Sequence, residues 1–515
     1  MPPSITGCQG KVESSVEVTH LALARRQNTG NGTLGNGRLR VLQIAVPFLY
    51  LCDMANFDGA DDAGLTVSVS GRWNMYRSRL KVKALILLCM TGVLVILALR
   101  RDPDRKGETG EELLISEEKG SEETGEVMEQ KKTWTSPGRD AKIRVLLLNQ
   151  DGSIYHKEKD AGEGYPGELD YYEEPQGWII VNEVPLEEYL RFVVPSEMPA
   201  SYAEEALKAQ AVCARTYAVW QMQEYAYPEY EAHVDDSTSY QVYHKIDSQI
   251  STDQAVEETA GQILLYQEYP VKAYYFATSC GVTTDEAIWE EGNTENSPYL
   301  CSRFVNETTS EKDLTDEETF AAGIRTKRAG DLEISEPWYR WNCEVPFTQI
   351  QKNVEKWMAV RLAKTGDGIL IKDGEKYVRP LENDGHTGIG AITEAQILSR
   401  NTGGAAQELL LTGSEGTLKI KYEYNIRLML GVPGGIIHKN DGTITRGGDL
   451  LPSGYFTLTQ ARIDGKVTGY TVTGGGLGHG AGMSQNGARL LAEQGKDYLT
   501  ILDYFYRDIT LVTME

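Results

Sequence analysis

Between Ala203 and Ala218 the chain carries six alanines, and Leu207, Ala211, Ala214 and Ala218 recur at helical spacing. That pattern predicts a helix whose slim side chains let another element approach closely. Ser201 reads as its N-cap, and Glu204, three residues on, completes a capping box. Before it, PLEEYLRFVVP reads as an apolar, strand-like segment, which leaves Glu197 in a short loop with rigid backbone on both sides. A carboxylate held beside Met198 and the ring of Pro199 can be desolvated enough for its pKa to rise, as a general acid requires. The same position also suits an ordinary surface glutamate that only favours the dipole at a helix N-terminus.

A chain of 515 residues has room for two or three domains and a sizeable core. Its formal net charge of -24 opposes binding to nucleic acid, which needs a basic surface to neutralise phosphates. Seven cysteines are scattered without a C-x-x-C pair, so neither a zinc ribbon nor a thioredoxin-like motif is present.

The N-terminal part reads as non-globular. Residues 1–74 show weak periodicity and many glycines, and are expected to be a disordered extension or one that arises from a misplaced start codon, with Met75 the natural start. From there MYRSRLKVKALILL runs into the apolar stretch Ala84–Leu99, with basic residues on both sides. This is the pattern of an uncleaved membrane anchor over 75–106. The next segment, 107–141, is an expected tether: Gly107–Gln130 holds nine glutamates and one lysine and no aromatic residue, too little apolar surface to order itself.

The folded region is expected over 142–515. Ile143–Leu148 and Trp178–Val181 are β-branched, apolar runs next to turn signals and predict strands. Asp253–Ala260 predicts a short helix, and Gln262–Tyr266 with Val271–Thr278 a strand pair turning at Glu268–Pro270. Residues 306–390 are more polar and read as an insertion or subdomain with a helix over Thr348–Leu362, followed by strands at Gln407–Leu411 and Leu418–Tyr422. Glycine-rich turns between strands and a helix near Asp497–Tyr506 complete the chain. The expected class is α+β: a mixed, β-rich domain with one long Ala-rich helix and a smaller inserted subdomain, preceded by a single transmembrane anchor.

A second candidate site is GGGLGHGAGMSQNGA, residues 474–488, which leads into a helix. Glycines on both sides of His479 either meet the needs of tight turns and close packing or open a cleft in which Ser484, Gln485 and Asn486 offer neutral hydrogen-bonding groups to sugar hydroxyls and N-acetyl amides. The loop lacks the GK[ST] ending of a phosphate-binding P-loop. His233 and His244 flank DDSTSYQVY without an evident third metal ligand, and Cys213 lies in the Ala-rich helix as a core residue.

Taken together, VPLEEYLRFVVPSEMP, LKAQAVCARTYA, SYQVYH, SPYL, PWYRW and GHGAGMSQNGARLLAEQGKDYLTILDYFY resemble the stage II sporulation protein D family, also called the SpoIID/LytB domain family, of endospore-forming bacteria. The motifs occur in the family's order over roughly 142–515. The resemblance implies a lytic transglycosylase that cuts denuded peptidoglycan strands between N-acetylmuramic acid and N-acetylglucosamine without a cofactor, working outside the membrane during forespore engulfment, beside amidases and other cell-wall hydrolases. It implies Glu197 as catalytic acid, with Arg215, Tyr299 and His479 at the cleft or supporting it. One carboxylate suffices for this reaction, whereas a hydrolase needs two. The alternative is a noncatalytic glycan binder or enhancer of a cell-wall amidase.

The chain departs from the family pattern in two places. Some relatives carry a zinc site written H-x5-C-x4-H-C; here His233 and His244 match its histidines while Ser239 and Lys245 replace both cysteines, so no zinc is expected. Cys280 stands in TSCGVTT where relatives often have glycine, and one disulfide among Cys280, Cys301 and Cys343 is the corresponding expectation.

Overall fold

The computed structural model describes residues 134–149, 151–289, 297–306, 313–380 and 388–515, which fall within one compact unit of the chain, 126–515. The expected anchor and the acidic stretch before residue 134 lie outside the described residues. Among the described residues no helix is long and apolar enough to cross a membrane. The class is mixed α+β, with eight α-helices among the described residues.

A four-stranded sheet opens the fold, with the strands Glu168–Glu174, Gly177–Pro185, Lys142–Leu146 and Val234–Asp235 side by side in that order. The two apolar runs expected to be strands pair antiparallel in its middle, Leu146 opposite Val181 and Ile143 opposite Val184. Two helices pack on it, α1 (Leu186–Glu197) and α2 (Glu204–Gln221), followed by α3 (Ile250–Glu258). The strand-like expectation for the segment before Glu197 is corrected here. Apart from Pro195 in the last turn, its buried residues, Leu186, Tyr189, Leu190, Val193 and Val194, fall at i, i+3, i+4, i+7 and i+8, one face of a helix.

Helix α2 is the predicted Ala-rich helix, and it runs through the interior. Every residue from Ala209 to Val219 is buried, and Leu207, Ala211, Ala214 and Ala218 are fully so. The capping box does not form: the helix begins at Glu204 with Ala203 as N-cap, and no side chain caps it. Glu204 pairs one turn forward with Lys208 at 2.5 Å instead of reaching back to Ser201. A helix enclosed on all sides leaves its one arginine without water. Arg215, 0% exposed, is met by a bidentate Glu187 from α1 (Nε to Oε1 2.8 Å, Nη2 to Oε2 2.7 Å), and the Val256 carbonyl takes a further bond at 3.1 Å.

The rest of the chain adds α4 (Glu317–Ile324), α5 (Phe347–Thr365) and α6 (Glu423–Met429), with two five-stranded antiparallel sheets. One is ordered Lys376–Val378, Ile369–Asp373, Thr417–Lys421, Ala406–Gly413, Ile392–Arg400; the other Ile444–Arg446, Ile436–Lys439, Trp341–Pro346, Lys466–Gly474, Phe456–Ile463. They share one core that reaches from Trp341 to Val472, so the polar stretch around 306–390 packs with strands that follow it in sequence. Helices α7 (Gln485–Glu493) and α8 (Tyr498–Phe505) then return to α2.

The expected pairing of Gln262–Tyr266 with Val271–Thr278 is replaced. Gln262–Tyr266 turns at Gln267 and Glu268, both at positive φ, and pairs with Tyr269–Pro270 and with the C-terminal strand Thr510–Thr513. The strand Tyr275–Phe276 pairs in parallel with Met483–Ser484, more than two hundred residues away. No disulfide joins Cys280, Cys301 and Cys343, which stand as free thiols.

Because Arg215 is enclosed, removing its partner strands a buried charge. Glu187→Ala is expected to lower stability by about 3 kcal/mol in denaturant unfolding, and Arg215→Leu with Glu187→Leu together by clearly less than Glu187→Ala alone.

Candidate active site around Glu197

Glu197 is the last residue of α1, a partly exposed carboxyl at the C-terminal end of a helix, not in a loop at an N-terminal end. Pro195 stands within the final turn, and Ser196 Oγ donates to the Phe192 carbonyl at 2.7 Å. Burial pushes the Glu197 carboxyl from its ordinary 4.5 up to about 7. The negative end of the helix dipole works in the same direction. Opposing them are the Val242 N–H, which donates to Oε1 at 2.6 Å, then the Tyr275 hydroxyl, then the Lys245 ammonium. Each of these favours the ionised form. The outcome is a carboxyl poised to give and regain a proton near neutrality, as the sequence-based expectation of a desolvated acid requires.

Two segments hold these donors. Residues 242–246 are fastened to the end of α1, since Ser196 Oγ also accepts from the backbone N–H groups of Lys245 (3.1 Å) and Ile246 (3.0 Å). Tyr275 comes from the strand paired with Met483–Ser484. Gln241 Nε2 donates to its oxygen at 3.0 Å, leaving the hydroxyl proton for Glu197, and the Tyr189 hydroxyl approaches Gln241 Oε1 at 3.4 Å.

The same strand pairing brings the glycine-rich loop to the site. Gly482, at φ +77°, lies so near the Tyr274 carbonyl that a Cβ there would stand 1.9 Å from its oxygen, so no other residue fits. Gln485 Nε2 donates to the backbone carbonyl of Glu197 at 3.0 Å and approaches Gln210 of α2 at 3.4 Å. His479 accepts from the Ala481 N–H at Nδ1 (3.1 Å) and donates to the Tyr275 carbonyl; burial pushes its pKa down to about 4, so the ring is neutral. Glu197 thus meets Gln485 and His479, which lie far from it in sequence, around Tyr275.

The other sequence candidates stand behind this group. Arg215 joins α2 to α1 and Tyr299 packs in the core with Met198, its hydroxyl accepting from the Lys272 N–H at 2.9 Å. Ser484 caps α7, accepting from the Gly487 N–H at 3.2 Å, and donates to Glu333 at 2.7 Å. Asn486 is engaged by Tyr202 and Thr278. His233 Nδ1 accepts the Arg144 N–H at 3.0 Å, while the His244 ring lies against Phe192 and Tyr165. Among the described residues no group of three or more His, Cys, Asp or Glu side chains is arranged to hold a metal ion.

Sequence reasoning passed over Tyr275, Gln241 and Glu333. Glu333 is 0% exposed and receives the Ser279 N–H at 3.0 Å, the Ser279 hydroxyl and the Ser484 hydroxyl. Burial outweighs these three donors and pushes it up to about 7. A cavity of about 490 Å³ lies elsewhere, lined by residues such as Asn342, Glu344, Val432 and His438, and shares no residue with the Glu197 group.

The SpoIID (Stage II sporulation protein) family model matches residues 174–266, the stretch from the first sheet through α1, α2 and α3. Stage II sporulation protein D of Bacillus subtilis (strain 168) is 30% identical over 342 residues, covering 64% of this chain and 74% of that protein. The chain belongs to the stage II sporulation protein D family. The family's protein from Bacillus amyloliquefaciens is 29% identical over 349 residues, 64% of this chain and 75% of that one. The amidase enhancer of Bacillus subtilis (strain 168) is 26% identical over 330 residues, 63% of this chain, but the match spans only 40% of that longer relative.

Glu333 sets a stability test. Its folded pKa of about 7 exceeds its ordinary 4.5, so the folded state binds the extra proton between those values. The stability this gives is complete below 4.5 and is lost as pH rises to about 7. Glu333→Gln should remove that dependence: the stability difference between parent and variant is expected to change by on the order of 3 kcal/mol across the window and to be constant above it.

Proposed function

We propose that the protein is a peptidoglycan lytic transglycosylase, cleaving denuded glycan strands between N-acetylmuramic acid and N-acetylglucosamine to leave 1,6-anhydro ends. The observation that carries this reading is the partly exposed carboxyl of Glu197, raised to about 7 by burial and balanced by two hydrogen-bond donors. In the protonated form Glu197 donates to the bridging oxygen as the bond from the muramic C1 breaks. The carboxylate so formed is stabilised by Val242 N–H and Tyr275 O–H while it takes the proton from the sugar's 6-hydroxyl, whose oxygen closes onto C1. No water is consumed, and no second carboxylate is called for. Gln485 and the neutral His479 hold the backbone on both sides of the proton-transfer site.

Family membership supports cell-wall work in sporulation. The proposed setting is the outer face of the cell membrane during engulfment, reached through the N-terminal anchor, with amidases that remove stem peptides as neighbours. A second reading draws on the likeness to the amidase enhancer: the domain grips glycan and stimulates an amidase without cutting.

Denuded strands incubated with residues 126–515 separate the two readings. Anhydro-ended products by mass spectrometry, abolished in Glu197→Gln with strand binding kept, support the enzyme, with an expected loss of at least about a hundredfold. Binding without products supports the enhancer. Because the protonated carboxyl starts the reaction, kcat/KM should be flat below about 7 and fall about tenfold per unit above it. A profile that rises through neutrality would show that Glu197 acts first as a base.

A further inference from the structure

A run of aromatic rings leaves the Glu197 site on the side of Tyr217. The Tyr217 hydroxyl feels the Glu197 charge, and its ring lies 6.4 Å from Trp220 in near-parallel stacking and 5.6 Å from Tyr274. Tyr274 in turn meets Trp289 at 4.5 Å, and Trp289 meets His479 at 5.1 Å. Trp220, Tyr274, Trp289 and His479 are all partly exposed, and Tyr274 and Trp289 also pack against the core beneath them. Polar groups sit beside the run. Lys272 Nζ lies 5.2 Å from the Trp220 ring and pairs with Glu286 Oε1, which neutralises it. Glu286, only 6% exposed, keeps its second oxygen, Oε2, buried without a hydrogen-bond partner.

We propose that the strip Trp220–Tyr274–Trp289 forms additional sugar subsites that hold the glycan strand beyond the pair of residues being cut. Rings that are half exposed suit the C–H faces of pyranose sugars, and a few fixed polar groups set the register, as in ligand grooves generally. Charge selects the occupant. Single-stranded nucleic acid also stacks on aromatic rings but needs a cationic track, and here the one neighbouring ammonium is already paired in a chain of net charge -24. A denuded glycan strand carries one lactyl carboxylate per disaccharide, fewer charges than one phosphate per nucleotide, and presents uncharged pyranose faces to the rings. The inference rests on the reading of Glu197 as a glycan-cleaving acid only for its choice of ligand; the grip itself needs no cleavage.

The test measures binding in full-length protein carrying Glu197→Gln, with denuded disaccharide and denuded octasaccharide as probes. The octasaccharide is expected to bind at least about tenfold more tightly. Trp220→Ala and Trp289→Ala should each remove most of that advantage while disaccharide affinity stays the same, and Trp220→Phe and Trp289→Phe, which keep a ring, should restore much of it. Equal octasaccharide affinity in correctly folded Ala variants overturns the strip, as does displacement of the strand by a proline-rich peptide that binds the parent more tightly. If parent protein cuts no strand yet the Ala variants lose octasaccharide, the strip stands and the cleavage reading falls. If parent cuts and the Ala variants bind and cut long strands as the parent does, the strip falls alone.

Discussion

The removal of water from the Glu197 carboxyl is the term on which the rest of the site depends. Left alone, burial and the helix end would favour the protonated form still more. The Val242 N–H and the Tyr275 hydroxyl restore enough stability to the anion to bring the two forms level near pH 7. Each donor requires its own scaffold: Ser196 fastening residues 242–246, Gln241 turning Tyr275, and the parallel pairing with Met483–Ser484 that delivers the strand. Arg215 and Glu187 tie α1 to α2 behind the site, without approaching the chemistry themselves.

Much of the scaffold was legible in local pattern. Apolar, β-branched runs beside turn signals announce the first sheet, and alanines at helical spacing announce α2. The segment before Glu197 was misread since β-branched Val193 and Val194 followed by Pro195 look like a strand end, while the burial of Leu186, Tyr189 and Leu190 one turn earlier decides for a helix. That error reversed the electrostatic setting of Glu197 from the positive to the negative end of a helix.

The missing half of the site was illegible for a different reason. Nothing in the residues around Tyr275 says that Met483 will lie beside it, because a parallel pair between segments so far apart carries no short-range signal. Hence neither Tyr275 nor Gln241 of the SYQVYH motif carries a local signal that ties it to Glu197. Ser484 drew attention as a polar residue in a glycine loop, but its hydroxyl serves Glu333, a partner that only the fold brings near.

The most direct measurement is a titration of the Glu197 side-chain carboxyl by carbon-13 NMR, its resonance assigned by loss in Glu197→Gln. A midpoint near 7 is expected, moving upward in Tyr275→Phe, where one donor to the anion is gone. A midpoint at its ordinary 4.5 would mean the carboxyl is solvated and ionised, and that Glu197 is no proton donor at neutral pH.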